Sequence, residues 1–168
     1  MKSLTQQLSV YRQQHTQKIN IMMHTIGVPA IVFSLMMLFA WISIDIATKW
    51  KIEFSWIFLA VVFLYYLILS IRLTLLIAII MIPMTALAIW VARPAPTPLS
   101  STLFLVLFFG GWILQFAGHF YEKKWPAFFL GSSQLLVGPL FLLIEGLQAV
   151  GIVRFFIQVD APVEINLD

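Results

Sequence analysis

Along most of this chain apolar residues do not alternate with polar ones; they run together in long blocks. Five stretches carry no Asp, Glu, Lys or Arg, or only one: residues 24–44, 54–71, 73–92, 99–118 and 125–150, the last interrupted by Glu145. A helix that crosses a hydrocarbon core needs about 20 predominantly apolar residues. The pattern therefore predicts an all-α integral membrane protein, a bundle of about five transmembrane helices. The fifth stretch also reads as a shorter span plus an interfacial piece, which leaves four as the alternative count. Arg72 alone separates the second stretch from the third. A tight turn is predicted over residues 70–74, because one continuous helix would be about twice as long as the bilayer is thick. The prolines of "RPAPTP" at 93–98 end the third span. No internal repeat or low-complexity segment appears, and residues 1–168 read as a single membrane domain.

The first 20 residues follow a different pattern. Ser3 and Gln6 have the spacing of a capping box. Leu4, Leu8, Tyr11 and His15 recur at helical spacing on one face, while Gln, Ser and Arg occupy the other. This predicts a short amphipathic helix lying at the headgroup level. So polar a start shows no cleavable signal peptide, and the first apolar stretch is expected to act as a retained anchor.

Composition sharpens the class. The chain is 61% hydrophobic and 10% charged, against about 25% charged in soluble domains. The net charge of +3 comes from scattered basic residues, which argues against a nucleic-acid partner and for contact with membrane lipids. The absence of cysteine excludes disulfides and thiolate metal sites, leaving His, Asp, Glu and amides as metal donors. With the N-terminus inside, Lys2, Arg12, Lys18, Arg72, Lys123 and Lys124 fall on the inner side, and Lys49, Lys51, Arg93 and Arg154 on the outer. That excess favours a cytoplasmic N-terminal face, in the inner membrane of a bacterium or the ER membrane of a eukaryote. Trp41, Trp50, Trp56, Trp90 and Trp125 stand at span ends as an aromatic belt. Nothing in the pattern specifies an oligomeric state.

The chemistry collects on one face. His24 opens the first span and His119 closes the fourth. Four crossings return the chain to its starting side, so His15, His24, Arg72 and His119 share a membrane face whichever way the protein is oriented. Asn20 and His24 are four apart, as are Gln115 and His119, and Glu122 falls in the sector of His119. His15 and His24 are nine apart and would lie on opposite faces of one helix, so a break is expected at residues 16–19. Three imidazoles and a carboxylate suit a divalent metal, either non-haem iron with open positions or zinc. Asn20 and Gln115 are placed to fix the ring tautomers. The plainer reading makes each histidine an amphipathic boundary residue. Glu145, late in the fifth stretch, falls by parity away from the histidines and is expected to hold helices together with Gln134 or Gln148.

The segments "HTQKINIMMHTIGVP", "QFAGHFYEKKWPA" and "GSSQLLVGPLFLLIE" resemble the 2-hydroxy fatty acid dioxygenases of fungal phytosphingosine breakdown and their bacterial relatives. The resemblance rests on the H-x4-N-x3-H-x2-G-x-P pattern of His15, Asn20, His24, Gly27 and Pro29, with Gln115, Gly118, His119, Glu122, Pro126 and Ala127. It implies an Fe(2+)-dependent membrane enzyme that uses O2 to shorten a 2-hydroxy fatty acid by one carbon, with zinc or nickel able to replace iron on purification. It assigns His15, His24 and His119 as catalytic metal ligands. The family relies on four histidines and this chain has three, so Glu122 is the expected fourth ligand. The substrate would chelate the metal through its carboxylate and hydroxyl, and Lys18, Arg72, Lys123 or Arg12 would neutralise the carboxylate. Two other readings remain at this level: a b-type haem protein with His24 and His119 as axial ligands, and a non-catalytic lipid-binding scaffold.

Overall fold

The computed structural model describes residues 3–47, 50–93, 95–131 and 133–156. It contains six α-helices: α1 (Leu4–Gln13), α2 (Lys18–Ala40), α3 (Phe54–Leu69), α4 (Ile71–Ala92), α5 (Pro98–Glu122) and α6 (Gln134–Ala149). A two-stranded antiparallel hairpin, β1 (Ser43–Ala47) and β2 (Trp50–Glu53), joins α2 to α3. A short 3-10 turn at Ala127–Leu130 precedes α6. Among the described residues, three helices are long and apolar enough to cross a membrane: Lys18–Ala40, Ile71–Ala92 and Pro98–Glu122. α3 and α6 are apolar but have 16 residues each, about 24 Å at 1.5 Å per residue, short of a hydrocarbon core of about 30 Å.

Helices α2 to α5 alternate in direction. At one end the Trp41 indole donates to the Ala92 carbonyl, and Met36, Met37 and Ala40 of α2 pack against Ala88, Ile89 and Ala92 of α4. The Ser55 hydroxyl donates to Met36, and Arg93 pairs with Glu53. At the opposite end Tyr65 donates to Gln7 of α1, and Tyr66 and Leu73 share a core with α6. The turn between α3 and α4 is the single residue Ser70, whose hydroxyl caps α4 by accepting from the Leu73 amide. The main-chain N–H of residue 93 still bonds back to Ile89, so the proline-rich segment ends α4 as its composition predicts.

Two expectations change. The fifth stretch does not cross to the far end. Its helix packs Leu140, Ile144 and Leu147 against Tyr66, Leu73 and Ile77, and Glu145 pairs with Arg12 of α1 at 2.8 Å. Gly131 and Ser133 before the helix, and Gly151 at φ 74° just after it, limit the long apolar run to 16 helical residues. The parity argument for Glu145 fails for the same reason, and its partners are Arg12 and, through Arg12, Gln148. The N-terminal helix forms with both halves of its capping box. Its apolar face is occupied by protein, however: Leu4 and Leu8 pack on the α3–α4–α6 core, and Tyr11 is buried against Phe141 and Ala127. Together α1 and α6 roof the end of the bundle at which the three histidines lie.

Candidate metal centre

The chain breaks between α1 and α2 at residues 14–17, slightly before the expected joint, and His15 sits in that break. Its imidazole turns inward and stacks flat on Tyr11, with ring centroids 4.1 Å apart. His24 enters from the second turn of α2 and His119 from the last turn of α5. All three are buried, and one ring nitrogen from each lies within 4.8 Å of the others. The sequence-predicted convergence of His15, His24 and His119 is thus present as geometry.

Backbone hydrogen bonds determine the tautomers. His15 Nδ1 lies 2.7 Å from the Tyr11 carbonyl and His24 Nδ1 3.0 Å from the Asn20 carbonyl, each four residues back. A carbonyl only accepts, so each Nδ1 carries a hydrogen and each Nε2 of a neutral ring presents a lone pair. These two Nε2 atoms face one another at 3.0 Å. Two bare acceptors at that separation repel unless a positive charge lies between them. A shared proton would require an imidazolium, whereas burial pushes the His15 imidazole below its ordinary value and outweighs the Tyr11 carbonyl and the Glu122 carboxylate that raise it. A metal ion needs no such protonation. With metal–nitrogen bonds of about 2.1 Å, nitrogens at adjacent coordination positions stand about 3 Å apart. His119 faces both rings at centroid distances of 4.7 and 4.9 Å, and its Nδ1 is buried without a hydrogen-bond partner. The donor set and its spacing fit a divalent metal.

Glu122 does not join the group. Its Oε1 accepts from the Thr16 amide and the Thr16 hydroxyl, both at 2.7 Å, and from Lys124 Nζ at 3.1 Å. Its Oε2 accepts from Asn20 Nδ2 at 2.6 Å. The carboxylate is saturated by the α1–α2 joint and holds that joint, with His15 in it, against the end of α5. Asn20 shares this task through its side chain, which also donates to the Gln14 carbonyl; it orients His24 through its main-chain oxygen, not its amide. Gln115 makes no hydrogen bond to a histidine ring. Its amide nitrogen is buried and unpartnered, beside a cavity of about 260 Å³ that opens from the histidines. Lys18, Arg72 and Lys123 are exposed and line no part of that cavity; Lys124 instead reaches the histidine joint, donating to the Thr16 hydroxyl and the Gln13 carbonyl. Lys123 takes the left-handed backbone conformation that ends α5, φ 58°, and this reversal aims the second lysine of the pair inward.

Sequence reasoning placed Thr16 in the joint and Lys124 on the histidine side but missed their contacts with Glu122, and it missed Gln134 beside the cavity. No spacing rule separates Lys124 from Lys123, since the choice depends on one left-handed residue. It also missed how α2 and α5 come close enough. A Cβ on Gly27 would stand 2.9 Å from the Gly111 carbonyl oxygen, and one on Gly118 would stand 2.3 Å from Asn20 Oδ1. The adjacent glycines of "FFGGW" were the available signal for Gly111.

A family model described as 2-hydroxy-palmitic acid dioxygenase Mpo1-like matches residues 1–150. Neither a curated protein nor a solved structure matches the chain.

Proposed function

The chain belongs to the Mpo1-like family, and from that premise we propose that it is an Fe(2+)-dependent membrane dioxygenase that shortens 2-hydroxy fatty acids by one carbon with O2. The observation that carries the metal-dependent part of this reading is the face-to-face approach of His15 Nε2 and His24 Nε2. His15, His24 and His119 would hold the ion. When bound, it supplies a Lewis-acidic, redox-active centre with positions open to the substrate's carboxylate and hydroxyl and to O2. The Tyr11 and Asn20 carbonyls keep two of the ligand rings aimed. Glu122 is a positioning residue that fixes the His15 segment. Gln115 and Gln134, both buried beside the cavity and each with an unpartnered amide atom, are placed to meet the polar head of the substrate in surroundings that exclude water.

The same reading makes residues 1–168 one membrane domain with four passes. α3 is the fourth, returning the chain between α2 and α4 with the hairpin beside its outer end. The histidine end would face the cytoplasm. A b-type haem is disfavoured by a specific observation: with three imidazole centroids 4.3 to 4.9 Å apart, no planar slot for a macrocycle exists between His24 and His119.

The test is O2 uptake by detergent-solubilised, ferrous-loaded protein. A long-chain 2-hydroxy acid should be consumed and yield an acid one carbon shorter, and the unhydroxylated acid, lacking the second chelating oxygen, should not turn over. O2 uptake independent of substrate, or full activity in His24→Ala, would overturn the assignment and favour the scaffold reading.

A further inference from the structure

The cavity beside the histidines is deeper than a metal and a carboxylate require. We infer that it is a measuring slot for a single acyl chain, and that Met36, Phe58 and Met81 form the floor that sets the longest chain accepted. This rests on the proposed function, in that the polar head is taken to sit at the histidines.

Three helices place that floor independently. Met36 lies 12 residues beyond His24 along α2, about 18 Å at 1.5 Å per residue. Phe58 lies 11 residues before the histidine-side end of α3, and Met81 lies 10 residues after the histidine-side start of α4, depths of about 16 and 15 Å. The hydrocarbon core of a bilayer is about 30 Å across two leaflets, so a long acyl chain covers about 15 Å. The slot is therefore one chain deep. Below it the bundle closes: Met36 is fully buried and packs with Met37, Ala88, Ile89 and Ala92, and Phe58 packs against this cluster and the one above it. Polarity follows the same axis. Apart from the Trp112 indole, the hydrogen-bonding side chains of the lining lie around the histidine end, and along α2 the wall continues as Val28, Ile31, Val32 and Leu35. Apolar walls without polar partners recognise a chain by length, because each methylene either finds contact or meets the floor.

The experiment is competition binding in detergent. Saturated fatty acids from medium to very long chain, hydroxylated and unhydroxylated, displace a fluorescent long-chain acid from the wild type, Met36→Ala and Val32→Phe. Affinity should climb with length and then fall by about tenfold past a limit. Met36→Ala should move that limit to longer acids. Val32→Phe, about 12 Å along α2 from His24, should move it to shorter ones. One variant removes bulk and the other adds it, so misfolding of either, seen as a lost thermal transition, leaves the other decisive. Affinity that ignores length in the wild type, or the same limit in a folded variant as in the wild type, overturns the inference. Unhydroxylated acids bind here without turnover, so the two claims separate. Shifted limits in a protein that consumes no O2 overturn the dioxygenase reading alone, and O2 consumption with unshifted limits overturns the slot alone.

Discussion

In the proposed site, Glu122 would hold a ligand in place and Gln115 would meet the substrate. The Glu122 carboxylate receives donors from Thr16, Asn20 and Lys124. Glu122→Gln keeps its shape but points an N–H₂ group at those donors. The joint carrying His15 should loosen, and metal affinity should fall by about 10 to 100-fold, as losses behind the ligands do, while His119→Ala should bind no metal. A metal titration of both variants checks this; equal loss in the two would restore Glu122 to the ligand set. Gln115→Met should retain the wild-type metal content and raise KM for the 2-hydroxy acid roughly tenfold, about the effect of losing one hydrogen bond to a charged group. Loss of metal in that variant would return Gln115 to a role in orienting a ring. Residue types and their face were legible in the sequence: three histidines, no competing cysteine, and parity bringing His24 and His119 together. The partners of Glu122 were not, because they belong to a break in the chain, and helical spacing rules stop at such a break.

The closest helix pair owes its geometry to glycine. A Cβ at Gly27 would stand 2.6 Å from Gln115 Nε2 and 2.9 Å from the Gly111 carbonyl oxygen, whereas one at Gly110 meets nothing within 4 Å. Gly27→Ala must push α2 from α5 and separate His24 from His119. It should cost about 1–3 kcal/mol, the range for overpacking, and lower metal occupancy. Gly110→Ala should be neutral or slightly stabilising, by up to about 1 kcal/mol. Thermal melts of the two variants in one detergent make the comparison, and equal melting temperatures would contradict it. The long helices were legible as charge-free runs, and the N-terminal helix from Ser3, Gln6 and its apolar stripe. Two features were not. The hairpin at residues 43–53 is short and mixed in polarity. The 16-residue α6 lies in a run that hydropathy alone cannot distinguish from a full span. Its packing on Leu73 and its tie to Arg12 reveal where it lies. That tie is partly exposed, at 43% and 26% of the side chains, so Arg12→Ala should cost less than about 1 kcal/mol.

For the whole molecule, the proposed four passes place the two ends of the bundle on opposite sides of the membrane. The chain has no cysteine, so single-cysteine variants report sidedness without background. Lys18→Cys, Arg72→Cys and Lys123→Cys lie at the histidine end, and Ile44→Cys and Ala95→Cys at the other; all five positions are exposed. An impermeant maleimide added to intact cells should label the second set only. Labelling of Arg72→Cys together with Ile44→Cys would mean that α3 does not return the chain across the membrane.

The proposed centre is a single metal site built by three histidines from α2, α5 and the joint before α2. Elemental analysis of the purified wild type beside His15→Ala, His24→Ala and His119→Ala tests that most directly. One equivalent of iron, or of zinc or nickel in its place, is expected per wild-type chain, and a small fraction of that in each folded variant. A full equivalent retained in His24→Ala would contradict it, since His24 shares with His15 the 3.0 Å approach that the metal explains.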